Sequence, residues 1–172
     1  MSVAVPRLET ERLVLRAFAA SDAEPYLLMM ADPEVTRFLG DGHPLDRVDA
    51  WRQLAVLIGH WELRGFGLWA VEERASGRFV GRIGCHEPEG WPGFELGYTL
   101  ARDAWGRGLA REGAAAALAY ARHELRRDTI ISLIRPGNRA SIAVAEHFGA
   151  RRTDSVEFYG ASTDVYTYPL SG

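Results

Sequence analysis

An α/β fold is the class this sequence predicts: a mixed sheet of about seven strands with helices on both faces. Two observations carry that expectation. Read in chain order, the segments run β-α-α-β-β-β-α-β-α-β-β, an order that implies a mixed sheet covered by helices. Within it, residues 94–118 join a compact β-like run to a short basic turn and then to an alanine-rich helix. No repeat, low-complexity tract or long linker interrupts the pattern.

Arg12-Leu13-Val14-Leu15-Arg16 reads as the first strand. Ser21-Asp22-Ala23-Glu24 has the form of a capping box and opens a helix through Tyr26, Leu27 and Met30, which Asp32-Pro33 stops. A Gly/Pro-bearing connection at 40–44 leads to a second helix near 45–64, whose apolar positions Val48, Trp51, Ala55, Ile58 and Trp61 recur at helical spacing. Strands near 67–73 and 79–86 are joined by Ala75-Ser76-Gly77-Arg78, a hairpin signal. The loop 87–93 brings in a third strand at 94–100. After the alanine-rich helix, near 108–124, come a buried strand at 130–134 and a helix capped by Asn138 and closed by Gly149. Strands near 151–159 and 163–170 form a terminal hairpin.

Length and composition narrow the function classes. A chain of 172 residues suits one domain, 1–172, and its 47% hydrophobic and 25% charged content is that of a soluble globular protein. A net charge of −3 argues against a general nucleic-acid binder, although arginines cluster within 102–111 and 122–127 and leave room for a local anion site. Cys85 is the only cysteine, so neither an intrachain disulfide nor a cysteine metal cluster is expected, and Cys85 reads as buried filler. The histidines show no metal-ligand spacing, and no metal is expected. No apolar run approaches the roughly 20 residues of a membrane span, and the opening residues lack a signal-peptide pattern. The expectation is a cytoplasmic protein, monomer or homodimer, with no membrane or direct nucleic-acid partner.

The turn Trp105-Gly106-Arg107-Gly108-Leu109-Ala110-Arg111 is the most informative segment. Backbone N–H groups at a helix N-terminus favour negative charge, glycines let an anion approach the main chain, and Arg107 and Arg111 add positive charge. The segment has no Walker lysine, and a dinucleotide fingerprint would need Gly or Ala where Arg111 stands. An acyl-CoA pyrophosphate loop is the reading left, beside that of an ordinary strand-to-helix turn.

The whole chain resembles the GNAT superfamily of N-acetyltransferases, and within it the RimJ/RimL ribosomal-protein acetyltransferase branch. The resemblance is carried by Leu8-Glu9-Thr10-Glu11-Arg12-Leu13-Val14-Leu15-Arg16, Asp32-Pro33-Glu34-Val35, Glu95-Leu96-Gly97-Tyr98, Trp105 to Ala110, and Arg135-Pro136-Gly137-Asn138-Arg139-Ala140-Ser141-Ile142 followed by Phe148-Gly149-Ala150. It spans roughly residues 8–170. It implies the GNAT fold, with the fourth and fifth strands splayed around acetyl-CoA as acetyl donor, and an amine acceptor that is a protein N-terminus or a small molecule. It also implies that Trp105 to Ala110 form the pyrophosphate loop. Trp105 stands where many members of the superfamily carry glutamine or arginine, which shifts phosphate recognition toward the backbone amides of 107–110 and the arginines.

Roles follow residue by residue. Glu95, on the strand face opposite Phe94, Leu96, Tyr98 and Leu100, is the candidate base or acceptor-binding carboxylate, provided burial raises its pKa. Gly97 suggests a bulge or a close backbone approach. By resemblance, the strand through Leu96, Gly97 and Tyr98 meets the acetyl carbonyl and pantetheine arm, with the Tyr98 amide as oxyanion donor. Asn138 caps its helix and, by resemblance, contacts pantetheine. Ser141 either bonds the preceding helical turn or reaches the CoA sulfur. Many relatives carry a tyrosine acid one turn later, where this chain has Ala145, so Ser141 is the substitute candidate for stabilising the thiolate. His86, Glu87 and Trp91 are placed near the acceptor, with an ordinary strand-end role the plainer reading for His86. The rival function is a non-catalytic acyl-CoA sensor, for which the missing tyrosine speaks.

Overall fold

The computed structural model describes residues 3–169. One sheet of eight strands organises it: β1 (Leu8–Glu9), β2 (Leu13–Arg16), β3 (Leu68–Glu73), β4 (Arg78–His86), β5 (Glu95–Leu100), β6 (Ile131–Ile134), β7 (Arg151–Phe158) and β8 (Ala161–Thr167). Their order is β1-β2-β3-β4-β5-β6-β8-β7. Every pairing is antiparallel except that of β5 with β6. The mixed sheet with helices on both faces is therefore as expected. The extra strand, β1, is two residues long and pairs Leu8 with Leu15, too short for periodicity to reveal. Leu170, at the end of the expected last strand, lies outside the described residues.

Among the described residues, five α-helices cover the sheet: α1 (Ala23–Met30), α2 (Pro33–Thr36), α3 (Arg47–Arg64), α4 (Leu109–His123) and α5 (Arg139–His147). The central strands bury both faces, and two apolar layers result. One packs Leu13, Leu15, Trp69, Ile83 and Leu96 against α4. The other packs Tyr26, Met30, Leu54 and Leu57 against the opposite face. The alanines of α4 let it lie close to the sheet. A Cβ on Gly113 would meet Ile83 Cδ1 at 2.4 Å, so only glycine fits that contact unmoved. Cys85 is fully buried, and burial pushes its thiol up to about 12, which makes it inert filler.

Three local expectations change. Ser21 is exposed and caps nothing; Asp22 is the acceptor instead, its Oδ2 taking the Ala19 N–H at 2.8 Å while the carboxylate also pairs with Arg16. Asp32-Pro33 ends α1 and also starts α2, with Asp32 Oδ1 accepting the Glu34 N–H at 2.9 Å. In α3 the buried stripe is Ala50, Leu54, Leu57 and Trp61, whereas Val48, Trp51, Ala55 and Ile58 face outward. Two apolar stripes compete on that helix, and the tertiary contact with α1 selects one of them. Among the described residues, no helix is long and apolar enough to cross a membrane.

Candidate active site

The turn after β5 and the first turn of α4 wall a cavity of about 610 Å3. Gly106 and Gly108 lie at φ +71° and +77°, left-handed values that other residues resist. Gly108 is the N-cap of α4, and no side chain caps the helix there. The N–H groups of 109–111 therefore open outward at the positive end of the helix dipole. Arg111 lines this cavity, as does Arg139 in the first turn of α5. Two helix N-termini, each carrying an arginine, converge on one space, a donor set that fits a diphosphate. Arg107 is arranged differently. Its guanidinium pairs with Glu73 and its carbonyl accepts from Arg12, which leaves only its main chain in the turn. Trp105 fastens the turn to the strand, its indole N–H donating to Leu100 O at 2.8 Å.

β5 and β6 run parallel but pair only at Glu95 and Ile131, and they splay beyond that point. The Ala101 N–H bonds Val80 O at 2.9 Å and sets the phase of the β4–β5 ladder. By alternation, Gly97 and Thr99 turn their backbone groups to β4, whereas Leu96, Tyr98 and Leu100 turn theirs toward β6. Leu96 O accepts the Ser132 hydroxyl at 2.6 Å, and Leu100 O is taken by Trp105. The N–H of Tyr98 points into the opening between the strands. Its phenol donates to Ser141 O at 2.8 Å, tying β5 to α5. Burial, with Tyr168 nearby, holds that phenol far above its ordinary pKa, so it remains protonated.

A second cavity, about 470 Å3, shares Phe38, Leu39, Tyr98, Thr99, Asn138 and Ser141 with the first. Glu95 lines it. Its Oε2 accepts the Trp91 indole N–H at 2.7 Å and its Oε1 the Leu133 N–H at 3.4 Å. Burial raises the carboxyl above its ordinary range and outweighs these two donors and the charge of Arg82. A partly buried carboxylate with a raised pKa is suited to taking a proton near neutral pH.

His86 sits opposite Glu95 on β4 and also lines the cavity. Burial first, then the charges of Arg82 and His60, lower its pKa to about 3, so it is neutral under ordinary conditions. Its ring lies 4.8 Å from that of His60. His60 is fixed by Phe66 O at 2.7 Å from Nδ1 and by the Glu87 N–H, which Nε2 accepts at 3.1 Å. Accepting at Nε2 assigns the proton to Nδ1. Trp91, Phe158 and Tyr159 make an aromatic wall, with successive ring centroids 4.7 Å apart.

Of the residues expected in the site, Glu95, Leu96, Gly97, Tyr98, Gly108, Leu109, Ala110, Arg111, Asn138 and Ser141 line one or both cavities; the Arg107 side chain does not. Gly97 lies in regular register with Gly84, so no bulge occurs there. Asn138 caps α5, its Oδ1 accepting the Ser141 N–H at 3.3 Å. Ala145 is completely buried. Glu87 lies beyond the site, 4.0 Å from Arg127. Sequence reading missed Phe38 and Leu39, which follow α2, and Phe158 and Tyr159 at the tip of the last hairpin. No local motif marks them, because long-range packing alone brings them in. Arg139, directly after the helix cap, was the one missed residue with a visible signal. Among the described residues, no group of three or more His, Cys, Asp or Glu could hold a metal.

Comparison with known proteins bears on this arrangement. The model for the acetyltransferase (GNAT) domain matches residues 12–151. The uncharacterized protein YkkB of Bacillus subtilis (strain 168) is 32% identical over 93% of this chain and 94% of its own. The uncharacterized N-acetyltransferase YoaA of the same organism is 30% identical over 96% of each. The crystal structure of an acetyltransferase from Agrobacterium tumefaciens str. C58 superposes with a TM-score of 0.86 at 33% identity, covering 98% of this chain and 96% of that one. RimL, a ribosomal L7/L12 α-N-protein acetyltransferase solved with coenzyme A, shares the fold at 16% identity (TM-score 0.76; 95% and 96% covered).

Proposed function

From the premise that the chain belongs to the GNAT acetyltransferase family, and so is an acetyl-CoA-dependent acetyltransferase, we propose that it transfers acetyl directly from the thioester to a primary amine. The observation that carries this reading is the junction of two cavities at Tyr98, Asn138 and Ser141, with the raised-pKa carboxylate of Glu95 on one side and two arginine-bearing helix N-termini on the other.

In this reading the larger cavity takes the donor. The main chain of 107–110, with Arg111, receives the pyrophosphate, and Arg139 adds a charge from α5. Asn138 spends its carboxamide oxygen on the helix cap, so its NH2 is the group left for the pantetheine arm. The acetyl carbonyl enters between β5 and β6 and meets the Tyr98 N–H, which stabilises negative charge developing on its oxygen. The amine nitrogen attacks the carbonyl carbon, the C–S bond breaks, and the amine's surplus proton goes to Glu95 directly or through a water. Ser141, which lines both cavities, is the hydroxyl assigned to the departing thiolate, whose conjugate thiol has an ordinary pKa around 8.5.

The sequence motifs favour the RimJ/RimL branch within the family, and a cytoplasmic setting is the accompanying expectation. A non-catalytic acyl-CoA sensor is the second reading, favoured by buried Ala145 in place of the helix tyrosine. Titration calorimetry with acetyl-CoA, beside ATP and NAD, tests the donor assignment: binding of acetyl-CoA alone is expected, and its absence would overturn both readings. In a protein that binds, Glu95→Gln is expected to lower kcat by about 10²–10⁴-fold with donor affinity unchanged. Unchanged turnover removes Glu95 as base, and no turnover with any amine favours the sensor.

A further inference from the structure

Arg82 is a cation in the smaller cavity with no ion-pair partner in contact among the described residues. It lies on β4 opposite Thr99 and lines the smaller cavity. Its Nε–H is buried and has no hydrogen-bond partner among the described residues, and no carboxylate among them stands within ion-pair distance of its guanidinium. The acids of the same cavity are committed elsewhere. Glu89 points to Arg64 at 3.4 Å, and Glu95 is held by Trp91 and Leu133. Four residues along β4, on the same face, His86 Nδ1 is a second buried atom without a partner among the described residues, on a side chain whose residue is only 9% exposed. A buried N–H with no acceptor is unfavourable unless something fills it, and the planar fork of a half-buried guanidinium matches an oxyanion.

The ladder fixes where such an anion would lie relative to Glu95. The pairs Arg82–Thr99, Gly84–Gly97 and His86–Glu95 follow one another on one face of the sheet. Arg82 and Glu95 are thus four ladder steps apart, about 13 Å between backbones at roughly 3.3 Å per residue, and their side chains reach the same cavity from its two ends. Gly97 lies between them. A Cβ there would meet only Leu68 Cδ2, at an ordinary 3.6 Å, so packing does not demand glycine; its bareness keeps the floor between the two charges open.

We propose that the acceptor is a small amine that also carries an anionic oxygen group, as an amino acid does: the anion on Arg82, the amine toward Glu95, and the apolar body against Trp91, Phe158 and Tyr159. A chain-terminal amine of a protein would put a neutral peptide carbonyl in place of the anion and leave Arg82 uncompensated. The proposal rests on the smaller cavity being the acceptor site.

The test is acetylation kinetics, followed by CoA thiol release, on phenylalanine, methionine, glycine and β-alanine, each beside its primary amide, with a C-terminally amidated hexapeptide alongside. At least one acid is expected to exceed its amide in kcat/KM by about tenfold or more. Arg82→Met should erase that preference through KM for the acids while leaving KM for acetyl-CoA unchanged, measured on the high-pH plateau of the rate profile, where loss of the Arg82 charge beside Glu95 does not alter the rate. Arg82→Lys should restore part of it, keeping the charge but not the fork. The melting temperature and the acetyl-CoA KM report that each variant is folded. Amides or peptide acetylated as well as the acids, or an equal loss on acids and amides in Arg82→Met, overturns the proposal and leaves acetyl transfer to an amine standing. Failure to acetylate any acid by a protein that binds acetyl-CoA also overturns it. Failure to bind acetyl-CoA at all fells the underlying reading as well.

Discussion

Trp91 and Glu95 are joined side chain to side chain across the end of the loop that enters β5, the indole N–H donating to Glu95 Oε2 at 2.7 Å. The bond aims the carboxylate and favours its charged form, while burial favours the neutral one, and burial prevails. Glu95 is therefore set by two opposed influences, one of which a single atom can remove.

Trp91→Phe removes the donor and keeps an aromatic ring. Loss of a bond to the charged form raises the carboxyl further. A base must be deprotonated to act, so the acid limb of the kcat/KM profile should move to higher pH by about 0.5–1 unit. A pH–rate profile with the preferred amine reads this directly, and an unmoved limb would detach Glu95 from the proton transfer.

Gly108→Asp places a carboxylate at the mouth of α4 and forces a side chain onto φ +77°. Acetyl-CoA affinity should fall by about 100-fold or more through repulsion of the phosphates and loss of the turn geometry. Calorimetry on folded protein, checked by its melting curve, measures the loss. Retained affinity would move the diphosphate elsewhere.

His86 should make the fold sensitive to mild acid. Its pKa is near 3 in the folded protein and about 6.5 unfolded, so the unfolded chain binds the extra proton as pH falls between those values. The stability that neutral His86 permits is fully present above the unfolded value and is lost as pH drops through that window. His86→Phe, with no group to charge, should flatten the decline by up to about 1.4 kcal/mol per pH unit. Urea melts of both proteins between about pH 7 and 5 give the difference, with the other titrating groups common to both. Equal slopes would contradict the assignment.

Gly113→Val should destabilise by about 1–3 kcal/mol, because its Cβ enters the space of Ile83 Cδ1 in a closely packed layer. In the Ile83→Ala background the same change should cost measurably less, a coupling that a double-mutant cycle of denaturant midpoints will show. Full additivity would mean that α4 moves away from the sheet instead.

Local chemistry makes part of this arrangement legible in the sequence. The turn from Trp105 to Arg111 and the cap at Asn138 each depend on residues within a few positions, and they form as expected. Burial is less local. Val48, Trp51, Ala55 and Ile58 satisfy helical spacing as well as Ala50, Leu54, Leu57 and Trp61 do, and only the partner helix decides which stripe is covered. Arg107 carries the positive charge its motif suggests, but Glu73, distant in sequence, claims it. The acceptor side is the hardest to see in advance. Arg82, on β4, and Phe158 and Tyr159, at the tip of the β7–β8 hairpin, are far apart in sequence and meet only through sheet order.

The parting of β5 from β6 has a mechanical side. The sheet behaves as two leaves on a narrow spine, whose stitches are the Ile131 N–H on Phe94 O, the Ser132 hydroxyl on Leu96 O, and the Leu133 N–H on the carboxylate of Glu95. One stitch is thus the very group proposed to receive the proton. If Glu95 takes the proton as proposed, its protonation weakens the acceptor of that 3.4 Å bond. The proposed proton acceptor and a bond that holds β5 to β6 thus share one side chain.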